Sequence, residues 1–135
     1  MATSTYLSNP VVTVNSVDLS DQCKGANISV AYDQLENTAF GDTARKYVAG
    51  LQTNSITLDL YWSTAASETY ATLKALVGTT TTITIKGSSG ATSATNPLGT
   101  FTTAFLAEMP VVYTMGELAT CSVTWNGGTF AWTES

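Results

Sequence analysis

This chain of 135 residues contains no histidine, so its carboxylates are the best remaining candidates for catalytic side chains. Without histidine, the usual general base and the commonest metal ligand are missing, which excludes catalytic triads and most zinc sites. Two carboxylates can hydrolyse a glycoside when they face each other in different environments. The nearest acidic pairs are Asp18 with Asp21, Asp33 with Glu36, and Glu108 with Glu117. Their turn-like contexts favour exposed turn and edge acids, so we predict a chain that is not an enzyme.

Two other features, the glycine-containing segments and the cysteines, could suggest a binding site, but their residues do not fit one. The segments Gly41-Asp42-Thr43 and Gly127-Gly128 lack the glycine spacing and lysine of a phosphate-binding loop, and turns explain them better. Cys23 and Cys121 are too few for a disulfide framework and have no histidine with which to share a metal. We predict two reduced thiols in a packed interior, no metal and no cofactor.

The composition restricts the class of partner. Five basic residues stand against ten acidic ones, giving a net charge of -5 and a pI of about 4.3, so the chain lacks the basic surface that grips nucleic-acid phosphates. Only 11% of residues are charged, which suits a surface buried against further copies of the chain. No apolar run is long enough to span a membrane, and the first residues lack the features of a signal peptide. We expect one soluble domain over residues 1–135, made in a cytoplasm and without a membrane partner.

A two-residue period dominates the chain and predicts a mainly β, antiparallel fold. The clearest strand precedes residue 63, where apolar Ile56, Leu58, Leu60 and Trp62 alternate with Ser55, Thr57, Asp59 and Tyr61. Similar patterns predict strands near residues 12–15, 27–33, 101–109 and 118–125, and a run of β-branched residues predicts another over 79–86. Composition predicts a flexible loop over residues 87–97, and a turn at residues 126–128 begins a short C-terminal tail over 126–135.

One segment changes to a helical period. Its apolar stripe consists of Ala66, Tyr70, Leu73 and Val77, and we expect this stripe to cover one side of the sheet. Glu68 stands near the predicted start and Lys74 near the end, as the helix dipole favours. Gly78 is placed to end the helix in a left-handed conformation.

Residues 34–48 form a predicted loop that is too long for a hairpin turn. Large apolar side chains within it argue against a solvated linker, so we predict an arm that folds against another subunit. Arg45 and Lys46 are either a solvated patch or partners for acids of that neighbour. The candidate interface residues are Glu36, Phe40, Asp42, Arg45, Lys46 and Tyr47.

Four sequence blocks in order carry a family resemblance: V-D-L-S-D at 17–21, T-A-F-G-D-T-A-R-K at 38–46, L-V-G at 76–78 and G-E-L-A-T-C-S-V-T-W at 116–125. Together they resemble the tail tube proteins of long-tailed bacteriophages (siphoviruses), in particular those that infect actinobacteria. The resemblance extends from Val11 to Trp125. It implies an antiparallel β-sandwich or barrel-like fold with one flanking helix and a long loop between the second and third strands.

The resemblance also implies a function. Copies of the chain would form hexameric rings whose inner sheets join into one barrel, and the rings would stack into a tube. The loop matching residues 33–47 would contact neighbouring subunits and rings. The lumen would hold the tape-measure protein during assembly and pass viral DNA during ejection. The protein would be assembled in the host cytoplasm and reside in the virion.

The polar strand faces supply candidates for the channel wall, because a strand can turn one face to a core and the other to water. These lumen candidates are Ser29, Asp33, Ser55, Thr57, Asp59 and Glu108, with Thr102, Thr120 and Ser122 as weaker additions. A minor tail protein, such as a terminator or completion protein, and a head-decoration protein remain alternatives. A carbohydrate-binding β-sandwich is an alternative of another class, with Trp62, Trp125 and Trp132 as a sugar-stacking platform.

Overall fold

A single antiparallel sheet of nine strands makes up most of the computed structural model, which describes residues 10–134. The strands are β1 (Val11–Val14), β2 (Val17–Asp18), β3 (Cys23–Glu36), β4 (Tyr47–Tyr61), β5 (Thr80–Lys86), β6 (Leu98–Leu106), β7 (Val111–Val112), β8 (Thr120–Asn126) and β9 (Thr129–Thr133). One short helix, α1 (Thr69–Leu73), lies between β4 and β5 in this described part of the chain. The predicted mainly β fold with one helix is confirmed.

The sheet follows the order β2-β1-β5-β6-β8-β4-β3 and buries one core between its two halves. Apolar residues alternate along the strands, so each strand directs one set of side chains inwards. Core residues come from β1, β5 and β6 on one side and from β4 and β8 on the other; the bulkiest are Trp125 and Phe101. The shared core joins the two halves of the sheet into one folded unit.

A bend at Gly127 and Gly128 transfers the chain from one half of the sheet to the other. β8 pairs with β4, whereas β9 pairs with β6. Both glycines have positive φ angles, of 81° and 76°, and a Cβ atom at Gly128 would lie 2.1 Å from the carbonyl oxygen of Thr102. Within the predicted C-terminal tail over residues 126–135, Thr129–Thr133 form the strand β9. The predicted turn is a bend between consecutive strands, because the neighbouring β6 offers hydrogen bonds to both of them.

An irregularity in β6 changes which side chains are buried. Thr103 has a φ of 57°, and the pairing with β5 shifts register opposite it. After this point Ala104 and Leu106 face the core while Phe105 is exposed. Uninterrupted alternation would place Phe101 and Phe105 on one face, but one inserted residue reverses the alternation.

The helix is shorter than predicted and turns a different face to the core. Leu73 is buried as expected, but the other buried positions are Thr69, Thr72 and Leu76, whereas Tyr70 and Val77 are exposed. Its orientation is held from both ends. The Thr69 hydroxyl donates to the carbonyl of Tyr61 at 2.7 Å, and the Gly78 amide, at a φ of +83°, donates to the carbonyl of Leu106 at 2.7 Å.

Replacing Leu73 with alanine should destabilise the subunit by about 2–5 kcal/mol, because the change leaves a cavity in a fully buried site. The exposed Val77 provides the matched control, and Val77→Ala should change stability by less than about 0.5 kcal/mol. Urea denaturation of both variants measures the difference. Equal stabilities would contradict the orientation of this helix.

Candidate assembly surfaces

The outer halves of β3 and β4 form a two-stranded arm that projects from the body of the sheet. β3 and β4 pair as far as Glu36 and Tyr47, whereas β8 accompanies β4 only from Ser55 to Tyr61. We call residues 30–53 the arm and residues 37–46 the tip loop. At about 3.3 Å per residue, the strand from Tyr47 to residue 53 extends roughly 23 Å.

The predicted loop over residues 34–48 is thus shorter, because strand pairing continues into it. Gln34 pairs with Ala49 and Glu36 with Tyr47. Both ends of this segment therefore have strand partners within the chain. Leu35 is the only apolar residue between positions 33 and 38, so the local pattern gave too weak an alternation to predict that the strand continues to Glu36.

Asn54 lies at the base of the arm (its root), where β4 enters the body of the sheet, and its hydrogen bonds hold the arm there. Its backbone carbonyl accepts a hydrogen bond from the Gly127 amide at 2.9 Å, and its side-chain Nδ2 donates to the carbonyl of Gly128 at 3.1 Å. The side chain is buried, on the same face as Ile56 and Leu58. Sequence analysis missed this residue, although a polar residue in phase with a row of core positions was a usable signal.

Hydrogen bonds within the tip loop hold it in a defined shape. The Ala39 amide donates to Asp42 Oδ2 at 2.7 Å, and the Lys46 amide donates to the Thr38 hydroxyl at 2.9 Å. At the apex, Phe40 has a relative exposure of 109%, so its ring lies entirely in solvent. A preorganised loop that presents an aromatic side chain is typical of a binding surface, because little order remains to be imposed on contact.

The basic residues of the tip are paired within the arm. Arg45 Nη1 lies 2.8 Å from Glu36 Oε2, and Lys46 Nζ lies 2.8 Å from Asp42 Oδ1. The hydrogen bond from Lys46, together with that from the backbone of Ala39, holds the pKa of Asp42 below its ordinary value. Pairing with acids of a neighbouring subunit stays a prediction.

Exposed apolar side chains continue along the arm. Phe40 is joined by Val30, Tyr32, Leu35, Tyr47, Val48 and Leu51, all of them exposed. This many large exposed apolar side chains on one short segment are unusual for a monomer and mark an interaction site. All six residues predicted to form an interface lie in the outer part of this arm.

A second surface consists of small polar residues on the body of the sheet. We call it the polar face, and its residues are Asn27, Ser29, Ser55, Thr57, Asp59, Ser122 and Thr124. Ser29 is the strand partner of Ser55, and the opposite side of β4 carries buried leucines. Hydrogen bonds cross between β4 and β8, from the Ser122 hydroxyl to Asp59 Oδ1 at 2.8 Å and between the Thr57 and Thr124 hydroxyls at 3.0 Å.

Two of the predicted lumen residues, Asp33 and Glu108, lie outside the polar face. Asp33 belongs to the arm, where the pairing shifts register between Tyr32 and Gln34 and a Cβ atom at Gly50 would lie only 2.9 Å from that of Asp33. Glu108 follows β6, which ends at Leu106, so it is not part of the polar face. Because the irregularity at Thr103 shifts the alternation by one residue, the face predicted for Glu108 from the residues before Thr103 does not apply.

The tryptophans do not share one surface. Trp125 is fully buried, and Trp62 is half-buried against Tyr70 with ring centroids 5.7 Å apart. Trp132 is exposed on β9, where its ring contacts Phe130 edge-on at 4.8 Å. The sugar-stacking platform therefore has no structural basis among the described residues.

The cysteines are unpaired thiols, as predicted, although only Cys121 is fully buried. Burial raises the pKa of both thiols, that of Cys121 to about 11, which keeps them protonated at neutral pH. Among residues 10–134, no three potential ligands of the His, Cys, Asp or Glu type are grouped to hold a metal ion. No helix in this range is long and apolar enough to cross a membrane.

Comparisons with solved structures show the same fold in chains of a contractile injection system and of a gene transfer agent particle. No family model and no curated protein matches the sequence. Among solved structures, a chain from the sheath-tube complex of the PVC extracellular contractile injection system, in the extended state, has 12% identity and a TM-score of 0.73, covering 98% of this chain and 93% of that one. A chain from the virion of the native gene transfer agent particle has 9% identity and a TM-score of 0.70, covering 93% and 95%.

A third likeness is to the sheath/tube terminator structure of the PVC system, with 14% identity, a TM-score of 0.71 and coverage of 98% and 99%. At such identities the likeness establishes the fold. This chain therefore has, over nearly its whole length, the fold of chains found in a gene transfer agent particle and in an extracellular contractile injection system.

Acidification should loosen the tip loop through Asp42. Because the folded-state pKa of this carboxyl is lowered, its stabilising bonds are present above the ordinary value of 3.8 and are lost as pH falls through the lower folded value. The NMR shift of the Ala39 amide in the unassembled chain should titrate with a midpoint below 3.8. Asp42→Asn keeps an acceptor and should abolish the titration, whereas Asp42→Ala should lose the bonded shift. A midpoint at or above the ordinary value would contradict this account.

Proposed function

We propose that this chain is a structural, non-enzymatic virion protein that polymerises as stacked hexameric rings into the tail tube of a siphovirus and forms the conduit for DNA ejection. The whole-chain likeness of its fold to chains of tail and injection particles carries the proposal. Its partners are further copies of itself and other tail proteins, including the tape-measure protein. The chain is assembled in the host cytoplasm and resides in the virion.

The edge of β3 supports assembly into rings. β3 is 14 residues long and lies at the end of the strand order, with β4 as its neighbour. A long open edge has unpaired backbone groups that attract other strands and promote aggregation. Pairing of this edge with the sheet of the next subunit would satisfy those groups and join the sheets into one barrel.

The polar face is the candidate wall of the lumen. It is built from hydroxyl and amide groups with one carboxylate, Asp59, and it lies opposite the core. Small hydroxyl side chains interact well with water in a channel, and a surface without a basic patch has no attraction that would hold DNA phosphates in place. Viral DNA would pass along such a wall without specific binding.

A tail terminator is the second candidate, favoured by the likeness to the PVC sheath/tube terminator structure. A terminator forms a ring at the end of a tube, whereas a tube protein continues to stack. Negative-stain electron microscopy of the purified protein distinguishes the two. Hollow tubes of constant width support the major tube protein, and rings without tubes favour the terminator.

Phe40→Ala should weaken polymerisation, because Phe40 is exposed in the isolated chain and burial of such a side chain contributes roughly 1.5–3 kcal/mol. A stronger defect is expected when residues 36–46 are replaced by a short Gly/Ser linker. Sedimentation and electron microscopy over a concentration series measure both. If both variants form tubes at the wild-type concentration, the arm is not an interface.

Asp59→Lys should leave tube morphology intact while slowing DNA passage, since it replaces a ring of negative charges with positive ones that attract phosphates. The effect should diminish at high salt, because the Debye length is about 8 Å at physiological ionic strength and shorter above it. Asp59→Asn is the control, which removes charge but keeps an acceptor for Ser122. Normal DNA ejection from virions that carry Asp59→Lys would exclude Asp59 from the lumen.

A further inference from the structure

Asn126 is the one asparagine of the chain that is followed by glycine. It ends β8, and Gly127 and Gly128 then form the bend into β9. Its side chain is exposed, on the same side of β8 as Ser122 and Thr124 of the polar face. An exposed Asn-Gly pair is prone to spontaneous deamidation, because glycine has no side chain that would shield its backbone nitrogen from the neighbouring amide.

The reaction needs only these two residues and water. The backbone nitrogen of Gly127 attacks Cγ of the Asn126 side chain, and the new N–Cγ bond closes a succinimide ring. The side-chain nitrogen leaves as ammonia and takes the proton of the backbone amide with it. Water then opens the ring at one of its two carbonyls, which gives aspartate or isoaspartate.

The fold restrains both reacting groups. Asn126 lies in a strand and pairs with Ser55 of β4, while the Gly127 amide donates to the carbonyl of Asn54 at 2.9 Å. The Asn54 side chain holds the following residue as well, because its Nδ2 donates to the carbonyl of Gly128 at 3.1 Å. Ring closure requires the Gly127 nitrogen to turn towards the Asn126 side chain and to give up its proton. Its bond to Asn54 must therefore break first.

We propose that Asn126 is a site of spontaneous deamidation that hydrogen bonds with Asn54 keep latent in the folded chain. Asn54 has a relative exposure of only 2%, so its bonds to the bend are shielded from water. Deamidation then proceeds from molecules in which the bend has opened locally, and its rate follows the population of that open state. This modification goes beyond the proposed function and does not depend on polymerisation.

Each product changes the bend in a defined way. Aspartate adds a negative charge to the polar face, where Asp59 is the one carboxylate. Isoaspartate lengthens the backbone by one atom at a tightly packed point, since a Cβ atom at Gly128 would already lie 2.1 Å from the carbonyl oxygen of Thr102. The isoaspartyl product should therefore break the bonds between Asn54 and the bend and loosen the root of the arm.

Timed incubation in mildly alkaline buffer, followed by digestion and mass spectrometry of the peptide that contains Asn126, measures the rate in the full chain. In guanidinium chloride the rate should be at least about tenfold higher than in the folded chain. An opening free energy of about 1.4 kcal/mol accounts for that factor, and the two hydrogen bonds at the bend supply it.

Asn37 is the internal control, because it is also exposed but is followed by the β-branched Thr38. It should react far more slowly than Asn126 in the denatured chain. Equal rates at Asn126 in the folded and the denatured chain would overturn the protection by the fold. An Asn126 that stays intact in both would overturn the site itself.

Hydrogen exchange of the Gly127 amide tests the restraint without any variant. Exchange of this amide also requires its bond to Asn54 to break, so its protection factor should match the ratio of the two deamidation rates within about threefold. A Gly127 amide that exchanges without protection, in a chain that is still slow to deamidate, would show that the bond to Asn54 is not the restraint.

Asn54→Ala removes the side-chain bond to Gly128 and should raise the folded-state rate about threefold to tenfold, the factor that one hydrogen bond supplies. Leu73→Ala is the matched control, because it destabilises the buried face of α1 without altering a contact of the bend, and it should leave the rate unchanged. A rate that is unchanged in Asn54→Ala, or raised as much in Leu73→Ala, would contradict the role of Asn54. Asn126→Gln should abolish the reaction, since closure on the longer side chain gives a larger ring that forms more slowly.

Discussion

The pairing of β3 with β4 is the interaction on which the rest of the structure depends. Its inner half contributes Ile56, Leu58 and Leu60 to the core and carries the polar face on the other side. Its outer half leaves the body as the arm. The strands that contribute to the core, the polar face and the arm thus belong to one hydrogen-bonded hairpin. The register of this hairpin therefore decides which side chains face the core and which face solvent.

The arm is only marginally stable without a partner. Two strands without a third neighbour are marginal in water, and this arm exposes large apolar side chains along its length. The bonds of Asn54 at its root and the ion pairs in its tip hold the shape that a partner would cover. Exposed ion pairs contribute little to stability, so their main effect here is to limit the conformations of the tip before contact.

The polar face and the core face impose opposite requirements on the same strands. Buried positions need apolar bulk, and the polar face keeps small hydroxyl groups that bond across strands, as Thr57 does with Thr124. The low charge of the chain fits this arrangement. Rows of like charges on neighbouring strands would repel each other directly across the ladder.

Composition and local period determined much of this protein. The missing histidine excluded the commonest catalytic sites, and the two-residue period around Leu58 predicted both the core face and most of the polar face, because side-chain direction in a strand follows from local geometry. The resemblance carried by sequence blocks such as residues 38–46 supplied the tube hypothesis, to which the fold comparison lends support.

Only the tertiary structure decided where that periodicity fails. The irregularity at Thr103 turned Phe105 outwards, and the bend at Gly128 converted a predicted tail into β9. The strand pairing of Glu36 with Tyr47 shortened the predicted loop. Each outcome depends on hydrogen bonds to residues distant in sequence. Local alternation contains no information about such partners, so the strand pairing of the arm and the bonds at its base became visible only once the strands were assembled.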